Sequence, residues 1–157
     1  MHDNSVRYME RSRLYYQAQG YEKAYVWAHH DKVPFSPLEK PLQECTATLI
    51  TTAMPDESFT RELRSLQIGE MKQVPTSLYT DELAWDKDAT HTDDLDSYFP
   101  VRRLMELVQE GRLGQLAEHY YCVPTSYSQR QTIELDAPGI VRSCIEEHVD
   151  IALLVGL

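Results

Sequence analysis

Near its carboxyl terminus the chain carries a nearly unbroken apolar run, Asp150-Ile-Ala-Leu-Leu-Val-Gly-Leu157, directly after a segment with helical periodicity. An apolar strand with no polar alternation has to be buried on both faces, and a helix leading straight into it is the repeating half of a parallel α/β sheet. The helix is supplied by Asp136 to His148, where Ile140, Val141, Cys144, Ile145 and His148 line one side behind Asp136 in the position of an N-terminal cap. A second run, Cys45-Thr-Ala-Thr-Leu-Ile-Thr-Thr-Ala53, is uncharged and rich in β-branched residues, and Met-Pro-Asp follows it. It is expected as a central strand. The fold class that follows is α/β, a doubly wound, mainly parallel sheet flanked by helices. Ligands of such sheets bind beyond the carboxyl ends of the strands, which places a functional loop just after Val155.

Further elements complete the frame. Pro100 to Glu110 puts Val101, Leu104, Met105 and Val108 on one helical face, with Pro at the start and Gly111 after the end. Tyr120 to Val123 reads as a short strand. Between residues 54 and 97 the pattern predicts a short helix at Ser58 to Leu66 and strands at Glu70 to Val74 and Glu82 to Trp85. Ser5 to Gln19 predicts an N-terminal amphipathic helix carrying Tyr8, Met9, Ser12, Tyr15, Tyr16 and Gln19, with Gly20 after it. From Tyr21 to Pro41, Tyr25, Trp27 and Phe35 alternate with prolines that forbid long regular elements, which predicts an aromatic arm lying across the body. One domain over residues 1–157 is expected: helix and arm over 1–41, then a sheet-containing body over 42–157 that is incomplete at its C-terminus.

Charge and cysteine usage exclude several classes of function. With 25 acidic against 15 basic residues the net charge is −10, and Arg102–Arg103 is the only adjacent basic pair. Phosphate neutralisation needs clustered Lys and Arg, so nucleic acid is not an expected partner. No apolar run approaches the length that spans a bilayer, and the N-terminus lacks the pattern of a secretory signal, so no membrane partner is expected and the location is cytoplasmic. Cys45, Cys122 and Cys144 lie far apart with no C-x-x-C spacing, which suits free thiols in a reducing compartment. Cys144 is expected in the core as a small apolar filler.

Three polar groupings are candidates for chemistry. In Asp86-Lys-Asp-Ala-Thr-His-Thr-Asp-Asp-Leu-Asp96, His91, Asp93 and Asp94 can converge on a hard cation or act in acid–base chemistry beside a substrate. The segment lacks the Gly and terminal Glu of an EF-hand, and a solvated charged loop is the other reading. His29-His30-Asp31 is a second grouping, although adjacent side chains point in different directions. His119, just before the Tyr120 strand, suits either a buried structural histidine or a site residue. No cluster offers three His or Cys ligands at usable spacing, so no metal is expected, and Gly-rich phosphate loops and the G-x-S-x-G elbow are absent.

Two blocks of sequence bear a family resemblance. Tyr15-Tyr-Gln-Ala-Gln-Gly-Tyr-Glu-Lys, Trp27-Ala-His, Val33-Pro-Phe-Ser-Pro-Leu and Ala47-Thr-Leu-Ile-Thr-Thr-Ala53 resemble the opening of the glycine/sarcosine/betaine reductase selenoprotein B family, which includes D-proline reductase-like members. Tyr98-Phe-Pro-Val-Arg-Arg-Leu, Glu110-Gly-Arg-Leu-Gly and Ala117-Glu-His-Tyr-Tyr resemble that family's later helix and strand. The resemblance implies reductive cleavage of a C–N bond in a small amino-acid-like substrate, with electrons from a thioredoxin-type reductant. It also implies a selenocysteine or cysteine directly after the strand at Asp150 to Val155. None of the three cysteines matches that place, so the redox residue is expected beyond Leu157, where an in-frame UGA is expected to encode the selenocysteine and the open frame to continue into a cysteine-containing loop and a covering helix, and this chain alone is expected to hold no cofactor and to be inactive. His91, Asp93 and His119 are the residues the resemblance assigns to the substrate site, with His91 and His119 expected to meet in one cavity at the carboxyl edge of the sheet. A homodimer is expected to cover the apolar edge of the last strand. The alternative is a non-catalytic small-molecule-binding or subunit-interaction protein of the same fold.

Overall fold

The strand expected at the centre occupies that place. Thr46–Thr51 (β1) is paired in parallel along both edges, and all of its residues but Ile50 are buried. On one side it takes Ile151–Val155 (β5) over five residue pairs, from Ala47↔Ile151 to Thr51↔Val155. On the other it takes two short strands in succession, Gln115–Leu116 (β3) and His119–Cys122 (β4), separated by Ala117 and Glu118. Gln67–Glu70 (β2) closes that side as an antiparallel edge on β4, in the register Gln67↔Cys122 to Glu70↔His119. The result is a mostly parallel five-stranded sheet flanked by helices.

This computed structural model describes residues 7–23, 29–33, 36–58, 65–81, 83, 86–126 and 129–157. The chain divides into two units, Met1–Phe35 and Ser36–Leu157. In the first, Tyr8–Ala18 (α1) forms where the periodicity places a helix and is followed by Gly20 at φ +88°, but none of its residues is buried. Edge-on ring contacts join Tyr15 to Tyr16 and Tyr16 to Tyr21. Tyr25, Trp27 and Phe35 of the expected arm lie outside the described residues.

In the second unit, Val101–Gln109 (α2) matches the expected helix and ends before Gly111, whose φ of +67° only glycine adopts freely. Its Val101 and Leu104 join Phe99, Ala47, Leu49, Tyr120 and Cys122 in the main core. Ala47 and Leu49 alternate along β1 with Thr46 and Thr48, and Tyr120 and Cys122 alternate with His119 and Tyr121, so this core occupies one face of the sheet. Ala137–Glu146 (α4) contacts the residues of the opposite face: the Tyr121 hydroxyl donates to Ser143 Oγ, and His119 meets Glu147.

Several expectations are corrected. The strand placed at Glu70 to Val74 is β2 at Gln67–Glu70, because its ladder ends where β4 begins; the chain then turns, with the Met71 amide donating to the Glu118 carbonyl at 2.7 Å. Asp136 is not a cap. Gln129–Gln131 (α3) and a π-helical turn at Thr132–Asp136 run straight into α4, Asp136 has helical angles (φ −69°, ψ −52°), and its side chain accepts no capping N–H. Cys144 is only partly buried, whereas Cys45 and Cys122 are fully buried. Most of the helix expected at Ser58 to Leu66 and of the strand at Glu82 to Trp85 lies outside the described residues. No helix among the described residues is long and apolar enough to cross a membrane.

His148, just past the end of α4, is held at φ +53°, in the left-handed region that a side chain disfavours. His148→Gly is expected to raise unfolding stability by about 1 kcal/mol in chemical denaturation. No gain would show that the imidazole makes a compensating contact.

Candidate functional site

The carboxyl edge of the sheet is built by three strand ends that lie level, since Thr51 is in register with both Cys122 and Val155. The Leu157 amide, two residues past β5, donates to Thr52 Oγ1 at 2.9 Å, so the chain leaving β5 is fastened to the chain leaving β1. Two residues further along from Thr52, Met54 forms a two-residue bridge with Tyr79, with amide–carbonyl distances of 3.0 and 2.7 Å. The next residue, Thr80, is buried and shares a hydroxyl hydrogen bond of 2.9 Å with Thr92. Thr92 lies between His91 and Asp93, so the histidine–aspartate loop is tethered to the carboxyl end of β1.

Within that loop most of the acidic residues have local duties. Asp86 Oδ1 accepts the amides of Asp88 and Ala89, Asp94 Oδ1 accepts that of Asp96, and Asp96 receives both the Arg102 amide and its guanidinium, anchoring the start of α2. A carboxylate accepting amides at a turn or helix start is satisfied structurally, which removes Asp94 from the site candidates. His91 Nδ1 and Asp93 Oδ2 are 3.4 Å apart, with the side chains 71% and 89% exposed. A contact so open to water contributes little to stability, which leaves both groups accessible to a ligand. His29 and Asp31 form a similar open pair at 3.1 Å in the first unit.

His119 is elsewhere. Because β4 runs parallel to β1, His119 starts the strand and Cys122 ends it, and the His119 ring turns toward the far end of α4. Its Nδ1 lies 2.7 Å from Glu147 Oε1, while Glu147 Oε2 accepts the amides of Glu118 and His119 at 2.7 and 3.1 Å. Ser143 Oγ donates to Glu147 Oε1 at 3.2 Å and itself receives the Tyr121 hydroxyl at 2.7 Å. Burial pushes the Glu147 carboxyl upward, but the hydrogen bonds from His119 and the two amides outweigh it and hold the group below the ordinary 4.5. Burial drives the Tyr121 hydroxyl up to about 12 despite its bond to Ser143. No hydrogen bond or ion pair joins His119 to His91 or Asp93. The structure brings His91 and Asp93 together and leaves His119 to tie α4 to β4.

A cleft of about 710 Å³ opens at the amino edge, lined in part by Met71, Met105, Val108, Gln115, Glu118 and Glu147, and neither His91 nor His119 lines it. The Glu147 carboxylate there is already saturated by donors, and the cleft lies at the end of the sheet away from the strand termini that gather the loop and Leu157.

Asp136 is the residue the sequence pattern missed. It is 4% exposed, and its Oδ2 has no hydrogen-bond partner among the described residues. Burial raises its carboxyl above the ordinary 3.8. Along α4, Gly139 approaches Leu66 at the entrance to β2, Ser143 meets Tyr121, and Glu147 meets Glu118 and His119, so the helix runs antiparallel to β4. Asp136 precedes Ser143 by seven residues and Glu147 by eleven, which puts it on the same face, one turn beyond the carboxyl end of β4. The sequence signal was this i, i+7, i+11 row of polar residues on a helix face that packs on the sheet.

None of the cysteines is a prepared nucleophile. Burial pushes the Cys122 thiol up to about 12 and also raises Cys144, and both remain protonated at neutral pH. Among the described residues no group of three His, Cys, Asp or Glu side chains is placed to hold a metal ion.

Glu147→Ala strands two amides beside β4 and is expected to cost about 2–4 kcal/mol in urea unfolding near neutral pH. Because the Glu147 pKa is lowered on folding, its contribution is present above about pH 4.5 and is lost as pH falls through the folded value. The variant's deficit should therefore shrink in acid, and a deficit constant down to pH 3 would contradict the assignment. No protein-family model, curated protein or solved structure matches this chain.

Proposed function

We propose that this chain is the substrate-side α/β body of a reductase of the kind it resembles, the glycine/sarcosine/betaine reductase selenoprotein B family. A small amino-acid-like molecule binds at the carboxyl edge of the sheet, and its C–N bond is cleaved reductively by a selenolate or thiolate that a thioredoxin-type reductant regenerates. The observation that carries this reading is the hydrogen bond from the Leu157 amide to Thr52 Oγ1, 2.9 Å long. The resemblance puts the redox residue directly after β5, and this bond aims the chain at the end of β1, to which the His91–Asp93 loop is also tethered. Cys45, Cys122 and Cys144 are too buried or too weakly acidic for that role, which supports a redox selenocysteine or cysteine beyond Leu157.

In this reading the sheet is doubly wound. The β1-to-β3/β4 connection carries α2 and the β4-to-β5 connection carries α4 in the opposite direction, and right-handed crossovers then place the helices on opposite faces. His91 and Asp93 line the substrate site, and His119 acts at a distance by fixing β4 against α4. The location is the cytoplasm. The active form is a homodimer, supported by the outward-facing apolar side chains Leu154, Val141 and Ile145.

The product of the gene's complete reading frame, with any in-frame UGA read as selenocysteine, is expected to cleave the C–N bond of at least one of glycine, sarcosine, betaine and D-proline while oxidising a dithiol, releasing ammonia or an amine from the first three and opening the ring of D-proline to a single open-chain amino acid. His91→Ala should lower kcat/KM about tenfold by loosening substrate placement. Cleavage of none of the four, with the dithiol left reduced, would favour the non-catalytic binding protein instead.

A further inference from the structure

We propose that Asp136 is the anchor for the nitrogen of the ligand, accepting an N–H from an ammonium or secondary amine bound just beyond the carboxyl end of β4. The inference rests on the reading that an amino-acid-like molecule binds at this edge, and it names the group that such a molecule presents.

The first ground is an unfilled hydrogen-bonding capacity. Asp136 is 4% exposed and its Oδ2 has no partner among the described residues, whereas Glu147, a partly buried carboxylate on the same helix face, accepts from three nitrogens and a hydroxyl. A buried carboxylate oxygen without a donor destabilises the fold, and native proteins hold such groups mainly where a ligand or reaction needs them. The second ground is the backbone. Asp136 closes the π-helical turn Thr132–Asp136, and such single turns inside helices occur frequently at functional sites because they re-aim one side chain. The third is position. The face of α4 that carries Gly139, Ser143 and Glu147 follows β2 and β4 in order, so Asp136 overhangs the end of β4, and β4 ends level with β1, where Thr52 holds Leu157.

The chemistry of the ligand follows from the vacant atom. An acceptor-only oxygen in a water-poor setting selects a donor, and a charged N–H makes the strongest such bond. Burial raises the carboxyl pKa, and an ammonium beside it would oppose that shift. A fully methylated nitrogen has charge but no N–H and cannot make the bond.

The test is calorimetric titration of the 157-residue chain with glycine, sarcosine, D-proline and betaine, repeated on Asp136→Asn and Asp136→Ser, with a thermal melt of each protein. The wild type is expected to bind at least one of the three N–H amines about tenfold or more tighter than betaine. Both variants should lose that binding by about 30-fold or more while melting no lower than the wild type, since they remove a buried charge. Amine binding in the wild type that survives both substitutions, or betaine binding as tightly as the amines, overturns the role of Asp136 and leaves the edge site standing. Variants that melt far below the wild type show a structural carboxylate and overturn it equally. Failure of the wild type to bind any of the four removes the amino-acid-like site itself, and this inference with it.

Discussion

Everything in the larger unit hangs on β1, a six-residue strand enclosed on both faces and both edges. Three of its residues are buried threonines, and a hydroxyl left unpaired in such a place costs about 1–3 kcal/mol. Each finds a partner outside the ladder. Thr46 Oγ1 accepts the Gln115 side-chain amide, Thr48 donates to the His119 carbonyl at 2.7 Å, and Thr51 Oγ1 accepts the Ala53 amide. The alternation of Thr with Ala and Leu therefore does two things at once. One face packs against α2, and the other fixes the position of β3 and β4 along the edge of β1 by hydrogen bonds that a slip of one residue would break.

The two ends of the sheet have different physical characters as a result. At the amino end charges are neutralised: Asp150 pairs with Lys40 at 2.8 Å and accepts the Thr46 amide, and Glu147 is surrounded by donors. At the carboxyl end polar groups are left open. His91 and Asp93 face water, and Asp136 is buried with an oxygen that no described residue bonds. A fold that satisfies its buried carboxylate at one end and leaves another unsatisfied at the other concentrates its unused binding capacity at one edge. That asymmetry, rather than the size of any cleft, is the reason for placing the ligand there.

Those elements whose pattern is short-range were legible in the sequence. β1, β5, α2 and α4 fall within two or three residues of where apolar periodicity places them, and burial of both strand faces or of one stripe accounts for β1 and α2, whereas β5 leaves Ala152 and Leu154 exposed and α4 leaves Val141 and Ile145 exposed. β2 was misplaced by three residues since its extent is decided by β4, about fifty residues away, and not by its own Gln-Ile-Gly-Glu. Asp136 was misread for a related reason: a cap and an interior turn share the same residue type, and only the helical residues before it, Gln129 to Leu135, distinguish them. For His119 the sequence left a structural histidine and a site residue both open, because Glu147, twenty-eight residues on, determines where the ring points. His91 and Asp93 did come together as their spacing allowed, in a loop whose other acids turned out to cap turns and the start of α2.

The central claim is that the ligand sits at the carboxyl edge, and amide chemical-shift mapping on the labelled chain tests it without relying on turnover. On titration with D-proline or glycine, the perturbed amides are expected to cluster at Thr51 to Met54, Thr92, Val123 and Leu157, together with Asp136 at the start of α4. Perturbations that instead cluster at Met71, Lys72, Gln109, Gln115 and Glu118 would put the ligand in the amino-edge cleft and contradict the account.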